Sequence, residues 1–329
     1  MRLAHAISIS FTKTNTSSRR KSLMLLEIIH DTHYTYDPNV EIAQHLTHLK
    51  PPQTGTQSVL KAEICVSPKP SWQEEIVDSY GNICTFFSLQ NRHNELVVTA
   101  KSLVETTPNR NQTFEPSRTP PWEDVREYFR YHSKTHWDPA SEFLFTSPFV
   151  TLGPEFVEFT KISFTSNRPI LEAAISLMKR IYTEFRYVSK STDIDTPALE
   201  ALSKREGVCQ DFAHILITAL RSIGLPAKYI SGYLLTNPPP GMPRLIGSDA
   251  SHAWASVYIP NINENGKPCA GVWCDLDPTN NRWGYGSPGE DYIHLAQGRD
   301  YSDVSPVRGV IHGGADHVLD VAVTVRPAN

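Results

Sequence analysis

From Met24 to about residue 105, apolar and polar side chains alternate with a period of two, the pattern of half-buried strands. The runs "LLEIIHDTHYTYD", "SVLKAEICVSP", "EEIVDSYGNICTFFSL" and "ELVVTAKSLVE" carry it, with many β-branched and aromatic residues. Tyr80, Gly81 and Asn82 interrupt one run and predict a hairpin. Residues 24–105 therefore read as an antiparallel β domain. Its histidines (His30, His33, His45, His48 and His93) are scattered and show no helical metal-site spacing, so they read as strand-face residues.

The period changes beyond residue 167. In "NRPILEAAISLMKRIYTEF" the apolar positions Ile170, Ala173, Ala174, Leu177, Ile181 and Phe185 fall at helical spacing. A shorter helix is predicted in "TPALEALSKREG", with Thr196 as its cap, Pro197 in its first turn and Gly207 ending it. A third helix carries the stripe Phe212, Ile215, Leu216, Ala219, Leu220 and Ile223, and Gly224 and Pro226 close it. Four strands are then expected in "AKYISGYLL", "HAWASVYIP", "AGVWCDLDP" and "HVLDVAVTVRP". Helices followed by strands give an α+β unit over 167–329, not a doubly wound sheet. Residues 106–166, Pro- and Thr-rich at first, read as a linker with a short amphipathic segment around Val125–Tyr131. They end in an apolar stretch, "EFLFTSPFVTLGPEFVEFT", expected to pack between domains.

Composition narrows the choice of function. Thirty-one Lys and Arg against 35 Asp and Glu leave no broad basic field, which argues against a nucleic-acid partner. No apolar run approaches the ~18–20 residues a membrane span needs, so no membrane partner is expected. The five cysteines (Cys65, Cys84, Cys209, Cys269 and Cys274) are too few and too irregular for a disulfide framework, which fits a reducing, cytoplasmic setting. Cys269 and Cys274 have no second pair at zinc-site spacing and read as buried or loop thiols. Residues 1–23 lack acids and are rich in Ser, Thr, Arg and Lys. They read as an unstructured extension, with a transit peptide as the alternative.

One cysteine is placed differently from the rest. In "REGVCQDFAHILITALRSIGLPAKYISGY", Cys209 precedes the apolar stripe, at the start of the predicted helix. A thiolate is the useful nucleophile, and the unpaired N–H groups at a helix start stabilise one. The same groups can later hold a tetrahedral oxyanion. Such a nucleophile needs a base, and the base needs an orienting acid. His252 lies 43 residues on, where a strand begins, and Asp277 a further 25 on, where the next strand ends. A hairpin around "NINENGKPCAG" would bring the two to neighbouring strand ends, with Asp277 fixing the imidazole tautomer. Taken singly, His252 also fits a core histidine and Asp277 an Asp-Pro turn residue.

The blocks "GVCQDFAHILITALRSIGLPAKYISGYL", "SHAWASVYIP" and "DLDPTNN" resemble the signature blocks of the transglutaminase-like superfamily, most closely its bacterial cysteine-protease branch. The tail "QGRDYSDVSPVRGVIHGG" and the run from "HDTHYTYD" to "DSYGN" are similar to that branch and to its amino-terminal β domain. The resemblance implies a papain-like core with Cys209 as nucleophile, His252 as base and Asp277 as orienting acid. It implies an acyl-transfer enzyme that acts on amide bonds through a thioester, with a peptide or protein as substrate and no cofactor. Hydrolysis is favoured, and transamidation to an amine is the alternative. A non-catalytic binding module that keeps the fold is the rival from another class. Two features depart from the family pattern. Position 203 is Ser where a papain-like oxyanion glutamine would stand, and no Trp precedes Cys209 in this unit. Tyr187 and Gln210 are the candidate oxyanion donors. Asp211 and His214, one helical turn apart, could bind a metal or simply serve as a helix-start contact and a buried histidine; no catalytic metal is expected.

Overall fold

The computed structural model describes residues 23–107, 115–133, 137–189, 194–236, 251–262, 268–313 and 316–328. The amino-terminal strands are β1 (Met24–Val40), β2 (Ile42–Lys50), β3 (Gln57–Ser67), β4 (Trp72–Val77), β5 (Ile83–Leu89) and β6 (His93–Thr106). Helices α1 (Trp122–Tyr128), α2 (Pro154–Thr160) and α3 (Ile170–Glu184) follow. Two short strands, β7 (Arg186–Tyr187) and β8 (Glu206–Gly207), flank helix α4 (Ala198–Lys204) and lead into α5 (Cys209–Ser222). The remainder is β9 (Ala227–Leu234), β10 (Ser251–Ile262), β11 (Pro268–Asp277), β12 (Arg282–Tyr285), β13 (Tyr292–Gly298), α6 (Tyr301–Val304), β14 (Val307–His312) and β15 (Asp316–Pro327). The fold is α+β, as expected.

Two four-stranded sheets, ordered β15-β1-β6-β3 and β14-β2-β5-β4, form the β domain. Residues 307–327, grouped on sequence with the helical unit, return to it instead. β15 pairs antiparallel with β1, and β14 with β2. Alternation alone could not show this, because it predicts strands and not their partners. The hairpin at Gly81 forms as read: β4 pairs with β5, and Gly81 takes a positive φ of 83°.

The second unit is a five-stranded antiparallel sheet, ordered β12-β11-β10-β9-β13, with helices against it. Helix α5 lies between β9 and β10 on one side and α2, α3 and α4 on the other. All of Asp211–Arg221 is therefore buried, where the sequence predicted a single stripe. The buried Arg221 of α5 is satisfied inside: its guanidinium donates to the carbonyls of Ala227, Phe145 and Arg299. Helices α1 and α2, read on sequence as linker, add Val125, Phe156 and Phe159 to this core. Of the stretch expected between domains, Phe143 has that place, its ring tilted against Tyr80 at 5.8 Å and edge-on to Trp273 at 5.3 Å.

Two local expectations fail. Helix α4 begins after Pro197, with no side chain capping it, so Thr196 is not its cap. It ends at Arg205, which itself adopts the left-handed conformation at φ 55°, two residues before Gly207. Gly207 is needed for a different reason, its close approach to Asp211, described below.

The two units share more than a surface. Tyr233, Ile293 and Leu295 of the second sheet belong to the hydrophobic core of the β domain. The outer edge of β13 is covered by side-chain amides. Gln57 exchanges two 2.8 Å hydrogen bonds with the backbone of His294, and Asn82 does the same with Gln297. These four bonds imitate a neighbouring strand and leave that edge no free ladder for another chain.

Candidate active site

Cys209 is the first residue of α5, at a helix start built by its neighbours. Asp211 reaches back so that its Oδ2 accepts from the Val208 N–H at 2.8 Å, one half of a capping box. A Cβ on Gly207 would lie 2.8 Å from that carboxylate, so only glycine admits this turn. The β7–β8 pairing, Tyr187 opposite Gly207, holds the approach to Cys209 straight. The first N–H groups of the helix, beside Cys209, have no intrahelical partner.

His252 and Asp277 come from adjacent antiparallel strands, β10 and β11, paired as the hairpin reading required. His252 Nε2 lies 2.7 Å from Asp277 Oδ2. The Cys209 side chain lies near enough to the ring to act on its titration, and with Nε2 engaged by Asp277 the nitrogen left to face the thiol is Nδ1. Burial disfavours charge on this ring, but Asp277 and Cys209 outweigh it and raise its pKa to about 10. Asp277 is fully buried and saturated. Its Oδ1 accepts from the N–H groups of Thr279 and Asn280, and its Oδ2 from Tyr292 Oη and Asn280 Nδ2. Burial alone would raise its carboxyl pKa; His252, Tyr292 and Asn280 hold it below the usual value. The turn role and the orienting role of Asp277 thus coexist, one oxygen serving mainly each.

Around the triad, Trp254 tilts against the His252 ring at 6.0 Å between centroids and donates to buried Asp275 at 3.0 Å. Gly232 stands opposite His252 in the β9–β10 ladder. Asn280 and Tyr292 were missed on sequence. The Asp-Pro-Thr-Asn spacing, an Asx-turn pattern, could have indicated Asn280; Tyr292, on a strand from elsewhere in the chain, left no signal.

Of the two oxyanion candidates, Tyr187 lies beside the nucleophile. Burial, then Cys209 and Asp211, raise its pKa, so its hydroxyl keeps its proton as a donor. Half the residue stays exposed. The Gln210 amide is engaged elsewhere, donating to the Ile194 carbonyl at 3.0 Å. The metal reading of Asp211 and His214 does not hold. Asp211 caps the helix, while His214 Nε2 accepts from Tyr301 N–H and its ring stacks on Phe149.

Residues 160–278 match the family described as "Transglutaminase-like superfamily", and residues 26–105 match "Bacterial transglutaminase-like N-terminal region". An uncharacterised protein of Mycobacterium tuberculosis (strain H37Rv) is 37% identical over 302 residues, covering 91% of this chain and 92% of its own. One from Mycobacterium leprae is 28% identical over 304 residues, covering 91% and 98%. Among solved structures, a Cytophaga hutchinsonii protein described as a "Putative Cysteine Protease" aligns with a TM-score of 0.62 at 20% identity, covering 92% of this chain and 91% of that one. That likeness is one of fold.

Proposed function

The chain belongs to the transglutaminase-like superfamily, and from that premise we propose that it is a cysteine-dependent amidase or peptidase working through Cys209, His252 and Asp277. The observation that carries the reading is His252 held at 2.7 Å by a saturated, buried carboxylate, with the helix-start Cys209 close enough to act on its titration. His252 Nδ1 receives the thiol proton, and the raised pKa of the ring holds it there. The Cys209 sulfur attacks the amide carbon, and the helix-start N–H groups with the Tyr187 hydroxyl receive the oxyanion. The C–N bond breaks as His252 gives its proton to the leaving amine, leaving a thioester on Cys209. Water, deprotonated by His252, attacks the thioester carbon; the acid is released and the thiolate restored.

Two measurements test this. Iodoacetamide at mildly acidic pH should label Cys209 rapidly in the wild type and slowly in His252→Ala, with Cys209→Ala unlabelled at that pH. Equal labelling of the wild type and His252→Ala would sink the pairing. A peptide library assayed for released amine, with and without an added primary amine, identifies the acceptor. Product formed with water alone supports hydrolysis, and product formed only with the amine reassigns the enzyme as a transamidase. No product in either condition would leave a binding module, and turnover unchanged in Cys209→Ala would place the chemistry on another residue.

A further inference from the structure

Far from the triad in sequence, three side chains of the β domain converge. His48 lies on β2, Asp78 in the turn after β4 and Cys84 on β5; His48 Nε2 or Nδ1, a carboxylate oxygen and the sulfur all fall within 4.8 Å of one another. The β2–β5 ladder is built for this meeting. Its register jumps between Thr47 opposite Thr85 and Lys50 opposite Ile83, so His48 and Leu49 together face the single residue Cys84. A bulge of this kind re-aims a side chain.

The bonds around His48 leave one atom unaccounted for. Nδ1 lies 3.0 Å from the carbonyl oxygen of Ser305, which can only accept, so Nδ1 carries the proton and Nε2 a lone pair. His48 is 1% exposed, and Nε2 has no hydrogen-bond partner. It faces Asp78 Oδ2 at 3.6 Å, so two acceptors oppose each other across a gap too wide for a hydrogen bond. That gap is close to the ~3.4 Å edge of a tetrahedron with bonds of about 2.05 Å, the value for zinc with nitrogen or oxygen. The remaining polar atoms are already oriented. Asp78 Oδ1 accepts from the N–H groups of Tyr80 and Asn82, and Oδ2 from Asn82 Nδ2. The third ligand, Cys84, is fully buried, and its sulfur has weak partners, the Asn82 carbonyl at 3.8 Å and the Asp78 backbone.

We propose that His48 Nε2, Asp78 Oδ2 and Cys84 Sγ bind one divalent transition-metal ion of the zinc class, with water as fourth ligand. One nitrogen, one oxygen and one sulfur suit zinc better than magnesium or calcium, which take oxygen ligands. The Ser305 carbonyl on Nδ1 is the outer partner that ligating histidines ordinarily have. Binding replaces the Cys84 thiol proton by the metal and releases it to solvent. The ion's role is structural. It ties β2 and β5 to the turn whose Asn82 grips Gln297 of the catalytic sheet.

The test uses the full chain carrying Cys209→Ala and Cys65→Ser, which removes the proposed nucleophile and the thiol that is exposed among the described residues. Titration with zinc chloride by calorimetry, and metal analysis after dialysis, should give one equivalent. Cobalt chloride should give an intense near-ultraviolet thiolate-to-cobalt band. Adding Cys84→Ser should abolish that band, and Cys84→Ser or His48→Gln should each weaken zinc binding at least tenfold. Zinc removed by dialysis, a cobalt spectrum without the band, or unchanged affinity in the folded Cys84→Ser protein overturns the proposal. Should either substitution prevent folding, the cobalt spectrum of the parent protein decides alone.

Discussion

Gln57 is bonded to His294 as though it were a residue of the next strand. Its Nε2 donates to the His294 carbonyl and its Oε1 accepts from the His294 N–H, both at 2.8 Å. Gln57 is buried, so its loss leaves two backbone groups of β13 without partners. Gln57→Ala should cost about 2–4 kcal/mol, one to two unsatisfied groups' worth, in urea unfolding. Gln57→Glu keeps the acceptor and replaces the donor with a second acceptor facing the carbonyl, so it should be no better tolerated near neutral pH.

The proposed activity should have its pH range set by the His252–Asp277 pair. The ring titrates near 10 because Asp277 and Cys209 favour its charged form against burial. A raised pKa means the proton donor to the leaving amine persists well above pH 6.5, and the alkaline limb of kcat lies towards pH 10. Asp277→Asn removes the largest favourable contribution. The alkaline limb should move down by at least one pH unit, and kcat should fall about 10²–10⁴-fold. A pH–rate profile whose alkaline limb does not move would contradict this assignment.

Tyr187→Phe removes a hydroxyl and keeps the ring that packs near Phe212 at 6.2 Å. As an oxyanion donor Tyr187 should matter to the transition state alone. We expect kcat to drop roughly 10²–10³-fold with KM and Cys209 alkylation little changed. A loss in KM alone would make Tyr187 a substrate contact.

Gly232 holds the His252 strand close to β13. A Cβ there would meet the Ile293 carbonyl oxygen at 2.2 Å and the Trp254 ring at 2.4 Å, so the ladder itself must shift. Gly232→Ala should cost about 1–3 kcal/mol and slow turnover more than it lowers stability. Gly55→Ala, which meets nothing within 4 Å, is the control and should stay within about 0.5 kcal/mol when both variants are unfolded in urea.

What could be read in advance had local causes. The stripe of α5, the hairpin of β10 and β11 and the Gly81 turn follow from period and turn chemistry, so Cys209, His252 and Asp277 could be placed at element ends before any coordinates. Burial of Thr218 and Arg221 could not, because it depends on which helices cover the outer face of α5. The same holds for Asn280 and Tyr292 closing on Asp277, for Gln57 and Asn82 covering β13, and for His48 meeting Cys84 across a bulge. Each is a long-range coincidence that no window of sequence contains.

The return of β14 and β15 to the amino-terminal sheets has a consequence for biosynthesis. β1 is flanked by β6 and β15, so one side of a strand made well before β15 stays unpaired until residues 316–327 leave the ribosome. During that interval the nascent polypeptide carries an open, half-apolar ribbon, the surface that trigger-type holdases cover and that promotes intermolecular sticking. Ribosome stalling just upstream of β15 should therefore yield a species prone to aggregate even after the thiol-bearing half has assembled.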